Sequence, residues 1–218
     1  MITQIPLWMS NAYLIKGDRP ILVDTGSANE EKKILQALEK ENVSVDELTL
    51  IIHTHGHADH VSSTVALKKL CDAPTLIHKA DSDMVREGHN GKLVPIGFTA
   101  KFATRFSNWA FKPFTADIII EEEMRLDSYG VPGQIVFTPG HTHGSISVIL
   151  DSGEAIIGDL IIGGYMGSLL FPCRPVYPYF GYIKTIDASL KKVMSFSPKI
   201  LYSGHGGPFT AQAITGFG

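Results

Sequence analysis

Three histidines and an aspartate fall within six residues in Thr54-His-Gly-His-Ala-Asp-His60. By composition, H-x-H-x-D-H arises by chance in about one chain in a thousand of this size, so the spacing carries information. Imidazole and carboxylate are ligands for zinc, iron or manganese, and the lack of a cysteine in the cluster argues against a thiolate-rich structural site. Where a chain leaves a strand in extended form, side chains two apart point the same way. His55, His57 and Asp59 can therefore converge, and His60 joins as the next helix begins. Four groups this close cannot all grip one ion comfortably, which suggests two ions with further ligands from distant sequence. The candidates are His141 in Thr138-Pro-Gly-His-Thr-His-Gly144, Asp159 in Ile157-Gly-Asp159, and His205 in Ser203-Gly-His-Gly-Gly207. Each follows an apolar strand and sits in a glycine-rich turn, where backbone can approach a metal closely.

The elements that must position these residues follow from periodicity. Residues 11–15 and 20–24 are β-rich runs around a turn at 16–19. Ser27 lies three residues before Glu30, a capping-box pattern, ahead of a helix with Ile34, Leu35 and Leu38 on one face that ends near Asn42. A strand at 48–52 runs into the histidine cluster. A helix over 61–70, a strand at 75–77 and a short helix over 80–86 complete the order ββαβαβα. The pattern restarts with strands at 118–120, 134–137, 145–150 and 155–157, a helix over 182–194 and a strand at 200–202. Two such successions predict two sheets packed face to face with helices outside, a four-layer αββα sandwich of the α/β class. One domain over residues 1–218 is expected, with halves of roughly 1–86 and 115–218 joined by a pocket segment at 87–114.

Composition bounds the function. The 218 residues carry 19 basic and 22 acidic side chains, a net charge of −3, which leaves no broad basic footprint for a phosphate backbone. Two cysteines, Cys71 and Cys173, are too few for a disulfide framework. Cys71 reads as a buried small hydrophobe, and nothing beside Cys173 marks it as reactive. No apolar run approaches the roughly 20 residues that span a bilayer, and the N-terminus lacks a basic stretch before an apolar core. A cytoplasmic protein acting on a small molecule is expected, with no nucleic acid and no membrane as partners.

With these motifs in place, the sequence resembles the metallo-β-lactamase-fold hydrolases over essentially its whole length. The shared features are L-V-D-T-G ending at Gly26, T-H-x-H-x-D-H from Thr54, P-G-H-T ending at Thr142, G-D at Asp159 and G-H-G around His205. The resemblance implies that His55, His57 and His141 hold one metal and Asp59, His60 and His205 a second, with Asp159 bridging and Asp24 supporting from below. Two divalent ions are implied, zinc first, with iron or manganese as alternatives. It also implies a metal-activated hydroxide attacking a carbonyl, with Asp59 orienting it, on a thioester, ester or lactone.

Within the family, the lactamases proper do not rely on an aspartate at the Asp159 position, and the flavin-linked di-iron branch has glutamate where His57 stands. Glyoxalase II-like thioesterases share the ligand set, but the G-R-x-D segment after G-D is replaced here by Leu160-Ile-Ile-Gly-Gly-Tyr165, and their helical C-terminal extension is not expected. Lactonase-like members place a catalytic tyrosine where this chain has Ile162, with Tyr165 as a substitute. A mononuclear iron dioxygenase of the persulfide type shares T-H-x-H-A-D-H and stands as the alternative, with a phosphodiesterase or nuclease behind it.

Further residues have two readings. Phe98, Phe102, Phe106 and Trp109 follow a 4-4-3 helical spacing, and a second aromatic stretch runs from Tyr165 to Tyr182; both sets either fill core or wall a pocket. Lys101, Arg105, Lys112 and Arg174 either meet an anionic substrate or are solvated surface. His53 and His143 are read as bystanders, with supporting contacts to the site as the alternative. His78 and His89 are read as ordinary surface or core histidines.

Overall fold

The computed structural model describes residues 1–104, 107, 109–165 and 168–217. Strands β1 (Ile2–Pro6), β2 (Asn11–Lys16) and β3 (Pro20–Val23) form an antiparallel meander. Helix α1 (Glu31–Lys40) then crosses to β4 (Leu50–Ile52), which lies parallel to β3. Two one-turn helices, α2 (Ala58–Val61) and α3 (Thr64–Leu67), lead to β5 (Thr75–His78), followed by α4 (Lys79–Glu87), α5 (Gly97–Ala103) and β6 (Ile118–Ile120). These six strands make one sheet in the order β1-β2-β3-β4-β5-β6.

The second sheet is built from β7 (Met124–Arg125), β8 (Gly133–Phe137), β9 (Ile146–Leu150) and β10 (Glu154–Ile156). A hairpin of β11 (Ile162–Tyr165) and β12 (Leu170–Val176) follows, then α6 (Ile183–Ser195), β13 (Ile200–Tyr202), β14 (Phe209–Thr210) and α7 (Ala211–Thr215). Its order is β14-β13-β10-β9-β8-β7, with β10 and β13 parallel.

Period-two alternation distributes the apolar residues among three layers. Tyr13, Ile15, Ile21, Val23, Leu50 and Ile52 meet Ile135, Ile146, Val148 and Ile156 between the sheets. The intervening Leu14, Leu22 and Ile51 turn outward onto Ile34 and Leu38 of α1 and Leu67 of α3. On the other side Val136, Ile149, Ala155 and Leu201 receive Ile186, Leu190 and Val193 of α6. The αββα sandwich is therefore observed, and its inner strands are apolar on both faces because both faces are covered.

Several local expectations are corrected. The helix expected over 61–70 is broken in two because Ser62 Oγ donates to Ala58 O, while Ser63 Oγ donates to Ser27 O at 2.6 Å and accepts from Glu30 N at 2.9 Å. Serine side chains that compete for backbone partners interrupt a helix. The capping box is half made: Glu30 accepts from Ser27 N at 2.9 Å, but Ser27 Oγ has no partner and α1 starts only at Glu31. Strand Ile118–Ile120, read as the start of the second series, pairs with β5 in the first sheet. Phe98 and Phe102 lie on α5 but are 88% and 71% exposed, so they fill no core. Phe106 and Arg105 fall outside the described residues.

Candidate metal centre

Every site residue follows the C-terminal end of a strand. Asp24 leaves β3 with φ 60° and accepts from Thr54 N and Thr54 Oγ1, both at 2.8 Å. The same carboxylate lies 2.8 Å from His60 Nδ1, which must donate to it, so Nε2 of His60 turns to the site. The Thr54 hydroxyl proton is used on Asp24, so at 3.1 Å it accepts from His55 Nδ1. His55 Nε2 is then left buried with no hydrogen-bond partner. His141 Nδ1 donates to Phe180 O at 2.9 Å, and His205 Nδ1 donates to Met9 O at 2.6 Å. An acceptor on one ring nitrogen fixes the tautomer and presents the other nitrogen as a ligand. His57 is reversed: its Nδ1 faces His141 Nε2 at 2.9 Å.

Three overlapping sets of ligand atoms result: His55, His57 and His141; His55, His60 and Asp159; Asp59, His60 and His205. Asp159 links them. Its Oδ2 lies 3.1 Å from His205 Nε2 and 3.5 Å from His141 Nε2, and its Oδ1 lies 3.5 Å from His60 Nε2. Asp59 Oδ2 is 3.3 Å from His205 Nε2. All seven residues singled out from sequence are thus brought together, with Asp24 beneath them.

The residues fit a divalent cation on two independent observations. Buried polar atoms are normally hydrogen-bonded, yet His55 Nε2 and Asp159 Oδ1 have no partner. Gly204 also keeps a space open, since a Cβ there would meet Asp159 Oδ1 and His60 Cε1 inside contact distance.

The electrostatics divide the histidines. Burial pushes His57 down to about 3, with His141 adding to it, and burial holds His55 and His141 below their ordinary value as well. Burial also presses on His60, but the Asp159, Asp24 and Asp59 carboxylates outweigh it and raise His60 to about 9. His205 is raised in the same way by Asp159 and Asp59. Asp59 and Asp159 stay ionised: burial raises them, and the surrounding imidazoles, His60 first for Asp59 and His205 first for Asp159, bring them well below the usual carboxylate range.

Asp81 was missed by the sequence reading. Fully buried at the start of α4, it accepts from Gly56 N at 3.0 Å, Thr142 Oγ1 at 2.7 Å and Gly144 N at 2.8 Å. It ties the loop of His55 and His57 to the loop of His141, and burial raises its pKa. The available signal was an acidic residue just past a strand end, as at Asp24. Asn90 was missed too; it accepts from Ala58 N at 2.7 Å and lines the cavity above the cluster. Residues 9–13 clasp the other side: Ser10 Oγ donates to Asp59 O at 2.5 Å, Asn11 N to Gly204 O at 2.7 Å, and Tyr13 OH to Ser203 O at 2.5 Å.

His53 is buried against the Phe114 ring and lies 3.2 Å from Thr64 Oγ1, away from the ligand atoms. His143 is exposed beside Tyr182. His78 caps α4 by accepting from Ala80 N at 3.1 Å, and His89 is exposed. Cys71 is buried and Cys173 exposed. Above the cluster opens a cavity of about 280 Å³ walled by Met9, Leu93, Trp109, Ile162, Tyr179 and Phe180. The aromatic stretches therefore contribute pocket walls at Trp109, Tyr179 and Phe180. Tyr165 lines a neighbouring cleft, which Ile162 lines as well.

A sequence profile of the metallo-β-lactamase superfamily matches residues 5–205, and the chain belongs to that superfamily. A probable metallo-hydrolase of Methanocaldococcus jannaschii is 30% identical over 201 residues, covering 91% of this chain and 88% of the relative. The probable metallo-hydrolase YqgX of Bacillus subtilis is 28% identical over 163 residues, 72% of this chain and 69% of its own. Among solved structures, the BLEG-1 B3 metallo-β-lactamase superimposes with a TM-score of 0.72 at 21% identity, covering 98% of this chain and 95% of its own. TTHA1623 in a di-iron-bound form gives 0.70 at 24% identity, covering 99% and 97%. The fold is that of the superfamily, and the clustered histidines and aspartates of this chain form sets that could hold a metal ion. Among the described residues, no helix is long and apolar enough to cross a membrane.

Proposed function

We propose that the chain hydrolyses a small carboxylic ester, thioester or lactone with two divalent cations, His55, His57 and His141 holding one, Asp59, His60 and His205 the other, and Asp159 reaching both. The observation that carries this reading is the convergence of seven ligand residues, four of whose five histidines are turned inward by acceptors on their far nitrogens. Such cations, when bound, would supply a water of lowered pKa and an electrophilic partner for a carbonyl oxygen. Asp59, held ionised at the cavity wall, accepts a hydrogen bond from the attacking water and so aims its oxygen at the carbonyl carbon. In the net reaction that oxygen bonds to carbon, the C–O or C–S bond breaks, and the departing alcohol or thiol takes a proton from water.

The cavity supports a carbonyl substrate over a phosphodiester: its walls are largely apolar, and among the described residues no lysine or arginine lines it. Metal analysis joined to a panel of thioesters, lactones, phosphodiesters and persulfides tests the proposal. Two zinc or iron ions per chain with thioester or lactone turnover is the expected result. One iron per chain with oxygen consumption on a persulfide would overturn it in favour of a dioxygenase. Asp59→Asn should keep much of the metal and lose most activity, whereas His55→Ala should lose metal as well; wild-type activity in Asp59→Asn would remove the orienting role.

A further inference from the structure

A cleft of about 540 Å³ adjoins the metal cavity, lying between the β11–β12 hairpin and residues 213–217. The two hollows meet along Ile162, Pro178 and Tyr179, which line both. The hairpin is fastened to the metal-binding turn itself: Gly163 N donates to His205 O at 2.7 Å, and Gly207 N to Pro172 O at 2.8 Å. The cleft therefore holds a fixed place relative to the proposed cation ligands.

The two hollows differ in chemistry. Apolar walls and the ligand residues surround the inner cavity. The cleft has aromatic walls at Tyr165, Tyr177 and Phe217, and Arg174 is its one charged lining side chain among the described residues. Tyr177 is fixed by donating to Asp187 at 2.6 Å and by its ring contact with Phe217 at 4.8 Å. Arg174 is exposed, and no hydrogen bond or ion pair engages its guanidinium among the described residues. Guanidinium offers a planar fork of donors matched to carboxylate and phosphate oxygens. An arginine spent on stability alone would be expected to have an acidic neighbour, as Arg125 has in Asp127 and Asp151.

We infer that this cleft is the subsite for an acidic group at the far end of the substrate, a carboxylate or phosphate received by Arg174, while the scissile carbonyl lies in the inner cavity. The inference rests on the hydrolase reading and narrows it to bipartite substrates: one arm apolar, the other ending in an acid.

Two matched pairs of thioesters test it on the metal-loaded protein. One pair has 3-mercaptopropionate or mercaptoethanol as leaving group; the other has an acyl chain ending in carboxylate or methyl. In at least one pair the acidic member should have the higher kcat/KM. Arg174→Ala should reduce that preference about fivefold through KM, the upper end for an exposed charge pair, while Arg174→Lys should retain part of it. Lys112→Ala, which removes an exposed cation outside the cleft, should keep the wild-type preference. Equal kcat/KM within both pairs, or a preference that survives Arg174→Ala, would overturn the subsite. If none of the thioesters is turned over, the hydrolase reading fails for this class, and calorimetry with phenyl phosphate and benzyl alcohol reads the cleft directly. Weaker phenyl phosphate binding in Arg174→Ala than in wild type would support the subsite; equal binding in both would overturn it.

Discussion

Two buried carboxylates organise this site without ligating at it. Asp24 takes three hydrogen bonds from Thr54 and His60, and Asp81 takes three from Gly56, Thr142 and Gly144. Asp81→Asn puts an amide donor where three donors already point. Each buried donor left unsatisfied costs about 1–3 kcal/mol, so metal-free Asp81→Asn should unfold at a lower denaturant concentration and bind its first cation more weakly in a calorimetric titration. Unchanged affinity alongside lowered stability would leave Asp81 a purely structural brace. The histidines make a second prediction. The pKa of His60 in the folded protein is raised from 6.5 to about 9, so in metal-free protein its stabilising contribution is full below 6.5 and is lost as pH rises towards 9. His57, lowered to about 3, has the opposite sign: it favours unfolding as pH falls below 6.5. At pH 7, cation loading should therefore release protons from His60 and His205 and close to none from His55, His57 and His141. Calorimetry in buffers of different ionisation enthalpy measures this.

At the scale of elements, the turns after strands decide function. Ala at position 204, in the turn after β13, would drive its Cβ into Asp159 and His60. Gly204→Ala should lower metal content per chain and cost about 1–3 kcal/mol by overpacking, read by elemental analysis and thermal denaturation. How much of this was legible in sequence depended on how local the signal was. His55, His57, Asp59 and His60 share one turn, and their spacing alone marked them. His141, Asp159 and His205 were legible because each follows an apolar run into a glycine-rich turn and because the motif order matched a known family. Asp81 was not, since its partners lie 25, 61 and 63 residues away and its one local mark, an acidic residue just past a strand end, is common to many helix starts. The hairpin was hidden for another reason. Leu170-Phe-Pro-Cys-Arg-Pro-Val176 contains two prolines, which argue against a strand except at an edge, and β12 is such an edge in a two-stranded ribbon.

Across the whole molecule, the site straddles the sandwich. His55, His57, Asp59 and His60 extend from the first sheet, and His141, Asp159 and His205 from the second. Cations bound here would join the two sheets in the folded state alone. A ligand at a hundred times its dissociation constant adds about 2.7 kcal/mol, and a chain of this size shifts by about 2–4 °C per kcal/mol. Chelation should therefore lower Tm by on the order of 5–10 °C, and a scan with and without chelator checks it; an unchanged Tm would separate metal binding from sheet docking. The clasp of residues 9–13 on the turn at 203–206 adds a matter of timing. His205 leans on Met9, 196 positions earlier in the chain, so a polypeptide emerging from its N-terminus displays His55, His57 and His141 long before His205 exists. Closing so large a loop comes late because its entropy must be met before any contact rewards it. The two proposed cation sites would thus have different ages in every newly made molecule, and the one assigned Asp59, His60 and His205 would be the younger.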